Sequence, residues 1–131
     1  MSVTYDEAKR IVDAAFTAAK DMGIKVAIAV LDERGDTVMH TRMDGARWWW
    51  LDTCRGKAFA ATIFGVPSAE LTTRLTNPVG IAMLGMQNGR LVYGQGALPI
   101  IRDGQLQGAV GVGGGQSQQD EDAAKAGLAA L

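Results

Sequence analysis

The chain has 131 residues, of which 47% are hydrophobic and 21% charged, with a formal net charge of −1 at pH 7. Length and balance fit a single folded domain over 1–131 and exclude a disordered chain. Lys and Arg are not in excess and form no block, which removes the electrostatic case for nucleic acid or an anionic membrane surface.

A single cysteine, Cys54, excludes an internal disulfide. Met1 leads into a polar, helix-capping stretch rather than a basic and then apolar leader, and the apolar runs are interrupted by Lys, Asp or Gly. The expectation is a cytoplasmic protein without a membrane span.

In chain order, Thr4 and Glu7 form a capping box, and Ala8, Ile11, Val12, Ala15 and Ala19 follow at helical spacing up to Gly23. Residues 25–32 and 37–43 read as two strands of a hairpin around Glu33-Arg34-Gly35-Asp36. The first strand is apolar on both faces, with Val26, Ile28 and Val30 on one and Ala27, Ala29 and Leu31 on the other. Such a strand is covered on both sides. With one helical layer expected, its second face predicts a partner subunit.

Residues 47–64 read as a long helix broken by Gly65-Val66-Pro67, and 68–75 as a short one. Asn88-Gly89, between 81–87 and 90–93, and Asp103-Gly104, between 98–102 and 105–112, are hairpin turn signals. Ser117 is the expected cap of a last helix, with Asp120, Glu121 and Asp122 in its first turn, where they suit the helix dipole. The fold class predicted is α+β, with a mainly antiparallel five-stranded sheet and the order α-β-β-α-α-β-β-β-α. Glycine, 17 of 131 residues and mostly beyond Gly80, signals tight turns and close backbone approach.

Several residues could carry chemistry. The run Gly111 to Gly115 lacks the spacing of a dinucleotide fingerprint, since Gln116 stands where a glycine is required. Its remaining promise is backbone N–H groups at a helix start, at Gly113 and Gly114, which favour an anion; a plain strand-to-helix joint is the weightier reading. Arg42 can clamp a carboxylate. Asp44 reads first as a helix cap. Lys57, among small and apolar neighbours, is a snorkelling lysine or the partner of an acid such as Asp44 or Glu70. His40, the one histidine, is an ordinary strand residue or a single axial haem ligand; it supports no zinc site. Cys54 reads as a buried small residue. Trp48-Trp49-Trp50 cannot all point one way on a helix, so at least one ring meets solvent, a subunit or a ligand. A concave site is expected where the end of the second strand, the start of the long helix and the Gly113–Gly115 turn converge.

Val30-Leu31-Asp32-Glu33-Arg34-Gly35, Arg42-Met43-Asp44-Gly45-Ala46, Lys57-Ala58, and Asp103-Gly104 through Gly108-Ala109-Val110-Gly111-Val112-Gly113-Gly114 occur in this order. Together they resemble the GlcG/HbpS-like family, which includes the C-terminal domain of PduO-type proteins, over essentially the whole chain. The resemblance implies a profilin-like fold, homo-oligomers up to octamers and, in some members, haem binding; other members lie in catabolic gene clusters. The chain departs from the family pattern at Trp48-Trp49-Trp50, at Ala60 where Thr is frequent, and at Gly113 where Ser is usual.

Two functions follow. One is an oligomeric protein, dimer to octamer, that binds haem or a small anionic ligand. His40 would be the iron ligand, Trp49 a wall, Arg42 and Lys57 the partners of propionates, and Gly113 and Gly114 a backbone contact. The other is a cofactor-independent lyase, isomerase or hydrolase acting on a small carboxylate, with Arg42 and Lys57 anchoring it and Asp44 or Glu70 moving a proton.

Overall fold

The computed structural model describes residues 2–131. Helix α1, Tyr5–Asp21, opens on the capping box. The Thr4 hydroxyl accepts from the Glu7 N–H at 3.1 Å, and the Glu7 carboxylate accepts from the Thr4 N–H at 3.0 Å. Its buried stripe is the apolar set read from the 3.6-residue period. Strands β1, Ala27–Asp32, and β2, Thr37–Arg42, form the antiparallel hairpin, with Ala29 opposite His40 and Ala27 opposite Arg42. The Asp32 carboxylate closes the turn by accepting from the N–H groups of Arg34 and Asp36.

Helix α2, Trp49–Phe64, ends on Gly65 in the left-handed conformation. A 3₁₀ segment, Ser68–Thr76, leads to helix α3, Pro78–Met86. Strands β3, Ala97–Arg102, and β4, Gln105–Gly113, form a second hairpin, and helix α4, Ser117–Leu128, follows. The sheet is antiparallel throughout, in the order β2-β1-β4-β3.

The α+β class stands, but the five-stranded sheet does not. Among the described residues there are four strands, and the order is α-β-β-α-3₁₀-α-β-β-α. Residues 81–87 lie almost entirely in α3, and 90–93 carry no regular structure. The Asn77 side chain accepts from the Gly80 N–H at 3.0 Å, and Pro78 stands at the first helical position. That is a strong helix start, and it outweighs a short apolar run whose periodicity does not separate strand from helix. Asn88 and Gly89 do adopt positive φ, but they reverse the chain at the end of a helix, not between strands.

A second correction concerns β1. Both its faces are covered within the one chain. Ile28 and Val30 join Val110 and Val112 against α1 and α4; Ala27, Ala29 and Leu31 join Ala109 against α2, with Leu71, Leu91 and Tyr93. The chain therefore forms three layers, and the second face of β1 needs no partner. The α2 layer lies close because the sheet beneath it is made of small residues. A Cβ at Gly111 would collide with the Cys54 carbonyl, and one at Gly113 would sit 2.7 Å from the Thr53 hydroxyl. No helix among the described residues is long and apolar enough to cross a membrane.

Candidate functional site

β2 is an edge strand, and its side chains on the α2 side stand beside the helix start. The Nε2 of His40, an exposed residue, lies 2.7 Å from the Leu51 carbonyl of the first α2 turn. Since a carbonyl only accepts, the proton sits on Nε2 and the Nδ1 lone pair is left as the ring's acceptor or ligand atom. The same carbonyl accepts from the Cys54 thiol at 3.3 Å. Two residues further along β2, Arg42 Nη1 donates to the Ala46 carbonyl at 2.6 Å. That bond anchors one edge of the guanidinium and leaves its other N–H groups to act outward.

The tryptophans divide as adjacent helical positions require. Trp48 is 64% exposed and Trp49 51%, with their rings edge to face at 5.5 Å, whereas Trp50 packs against the core under α2. No side chain caps α2: Trp48 stands at the cap position and makes no capping bond, and Asp44 lies four residues before it.

Arg42, Met43 and Asp44 line a groove of about 590 Å³ at the open end of the first hairpin. Its opposite wall is the end of α1 and the approach to β1, including Lys20 and Lys25. The concavity thus lies at the strand end that the sequence suggests, but with α1 across from it instead of the Gly113–Gly115 turn and the tryptophans. Of the four side chains considered for catalysis, the anchor Arg42 and the proton carrier Asp44 meet in this groove. Glu70 is exposed on the 3₁₀ segment and lines a different groove with Phe64 and Arg74.

Lys57 is 6% exposed, and its acid is Asp120, at 4%. The ammonium donates to Asp120 Oδ2 at 3.3 Å and to the Gln95 carbonyl at 3.2 Å. Asp120 Oδ1 accepts from the Gly115 N–H at 2.8 Å. Burial pushes the Asp120 carboxyl up from its ordinary pKa, with Lys57 and the Gly115 N–H pulling it back. Burial also raises the Cys54 thiol to about 12, which makes it inert as a nucleophile near neutral pH.

Two of the N–H groups around the glycine turn are engaged inside the fold, that of Gly115 by Asp120 and that of Gln116 by Gln119. Gly113 lies beneath the first turns of α2, and Gly114 lies against the Lys25 carbonyl. Among the described residues no three His, Cys, Asp or Glu side chains gather to hold a metal ion. The sequence reading missed Asp120, whose place in a first helical turn suggested a dipole role, and Lys20 and Lys25, which look like ordinary surface charges until α1 is laid beside the end of β2.

Residues 3–129 match the family described as haem degrading protein HbpS-like. An uncharacterized 15.0 kDa protein of Citrobacter freundii, from its dhaT-dhaS intergenic region, is 32% identical over 122 residues, 91% of this chain and 84% of its own. The corrinoid adenosyltransferase PduO of the same organism is 28% identical over 134 residues, which covers 100% of this chain and 39% of PduO. Among solved structures, a double mutant of Streptomyces reticuli HbpS has a TM-score of 0.87 at 32% identity, over 100% of this chain and 88% of that one. The PduOC:heme complex shares the fold, with a TM-score of 0.90 at 24% identity over 100% and 96% of the two chains. Matched from residue 3 to residue 129 and 32% identical to HbpS across its length, this protein belongs to the HbpS-like family.

Proposed function

We propose that this protein binds haem as a homo-oligomer, with His40 as the iron ligand on the outer surface of β2. The observation that carries the reading is membership of the HbpS-like family along nearly the whole chain. The residues at the β2 edge fit the group. His40 is exposed and its ring is oriented by the Leu51 carbonyl, so an imidazole nitrogen is presented without rearrangement of the fold. The helix turn that orients it also carries Trp49, half of whose surface is open to pack against a flat macrocycle. Arg42, on the same face of β2, retains guanidinium N–H groups for a propionate. Gly113 supports this surface from below, since it lets the turn bearing Trp50 and Thr53 seat on the sheet. When bound, haem supplies an iron that takes a histidine as axial ligand.

The test is a haemin titration followed at the Soret band. Wild type should saturate with a shifted band, and His40→Ala should bind at least about tenfold more weakly, the scale of one lost specific bond. Absence of a saturable shift in wild type would sink the reading. A wild-type spectrum retained by His40→Ala would leave haem binding in place and remove His40 as ligand.

A further inference from the structure

We infer that the groove at the open end of the β1–β2 hairpin is a second site, sharing only Arg42 with the proposed haem surface, for a small organic anion with an apolar body, such as an aryl or medium-chain carboxylate. At about 590 Å³ it is of the size that holds a small molecule. Phe16 and Ile24 from one wall and Met43 from the other are half-buried and supply an apolar floor. Met43 is fixed there: its N–H donates to the Val26 carbonyl at 2.9 Å, and its sulfur accepts from the Val26 N–H at 3.5 Å.

Three cations rim this floor, Lys20 from the last turn of α1, Lys25 from the approach to β1 and Arg42 from the end of β2. Asp44 is the one carboxylate among the lining residues, so the groove carries a local excess of two positive charges in a chain whose net charge is −1. Among the described residues the ion pairs are Lys57–Asp120 and Arg102–Glu7, and neither consumes these cations. The Lys25 ammonium lies beside Gly45, the residue after Asp44. Gly45 has φ +82, and a Cβ there would lie 2.9 Å from the Lys25 ammonium, so a side chain at this position would displace it. Arg42 is pre-oriented by its bond to the Ala46 carbonyl.

The end of α1 opposes an anion through its dipole. That opposition is muted here, because the carbonyls of Ala18, Ala19 and Lys20 already accept from Met22, Ile24 and Gly23, and Lys20 adds its charge to the same turn. A bare inorganic anion would use the cations and leave the apolar floor wet. A neutral apolar molecule would use the floor and leave the cations unused. A carboxylate on an apolar body uses both.

The test is isothermal calorimetry of the folded protein with phenylacetate and octanoate, set against phenylacetamide and sulfate. Both carboxylates should bind saturably, and at least about tenfold more tightly than the neutral amide or the bare anion, as expected for a charge-assisted bond added to apolar burial. The double variant Lys20→Gln/Lys25→Gln should lose at least about tenfold of that affinity, and Asp44→Asn, which removes the carboxylate of the rim, should gain affinity. Equal binding of the amide, a preference for sulfate, no saturable heat, or wild-type affinity in both variants would each overturn the site. Lys20 and Lys25 take no part in the proposed haem surface, so failure here leaves the Soret titration of wild type and His40→Ala to stand or fall separately.

Discussion

Single side chains at the N-terminus do two jobs at once. Glu7 closes the capping box of α1 and also takes the Arg102 guanidinium, which joins that helix to the end of β3. The hydrogen bonds from Arg102 and from the Thr4 N–H hold the Glu7 carboxyl down at about 2, from an ordinary value of 4.5. A carboxyl whose pKa falls on folding contributes stability above its unfolded pKa, and this is lost as pH falls through the folded value. Urea midpoints of wild type should therefore drop between pH 4.5 and about 2. Glu7→Gln should be less stable than wild type near neutrality and should show a flatter pH dependence across that window. Parallel curves for the two proteins would mean that Glu7 is not coupled to folding in this way.

Among the elements, α2 and α4 never pair along their lengths, yet one bond pins them together. Lys57 reaches from the middle of α2 to Asp120 in the first turn of α4, past Gly96, where a Cβ would meet its Nζ at 2.5 Å. A buried pair of this kind costs desolvation on both sides, so its removal as a unit is mild and its rupture is severe. Lys57→Met should destabilise the fold by about 3–5 kcal/mol near neutral pH, because Asp120 remains buried and charged. Its cost should shrink as pH is lowered, because burial already raises the Asp120 carboxyl and the loss of Lys57 removes a charge that pulls it back. Lys57→Met/Asp120→Leu should recover most of the loss in denaturant melts. A double variant no more stable than Lys57→Met would show that Lys57 acts through packing and not through the pair.

For the molecule as a whole, the case for self-association moves from β1 to the surface. With both sheet faces filled from within, unmet apolar area remains on the surface, and a concentration of it lies on α3, a nine-residue helix without a polar side chain. Gly80 is its one buried residue, while Val79 is 68% exposed and Met86 74%. A helix apolar on every side belongs in an interior, and contiguous exposed apolar surface marks an interaction face. Light scattering at roughly tens of micromolar, an ordinary working range for protein affinities, should show an oligomer. Val79→Lys/Met86→Lys should lower its mass without loss of helical content. A wild-type monomer at that concentration would refute assembly, and an unchanged oligomer in the variant would place the interface elsewhere.

The first helix and both hairpins that survive were legible because their signals are local; the last helix was placed, but its cap is Gln116 and not Ser117. The Thr4–Glu7 box, the Asp32 turn and the Asp103-Gly104 turn each act within a few residues of chain. Residues 81–87 were misread since an apolar run of that length suits either a strand or a helix, and the deciding signal, Asn77-Pro78, precedes the run. The candidate surfaces were legible in part. His40, Arg42 and the tryptophans could be named from residue type. The Leu51 carbonyl that orients His40 and the α1 wall that faces Arg42 could not, because folding sets those neighbours beside each other from distant parts of the chain. Lys57 and Asp120 show the same division at its widest. Lysine among small residues announces a buried stem, but its acid lies 63 positions away, and a pairing at that distance is chosen by the stacking of α2 and α4 on opposite faces of one sheet.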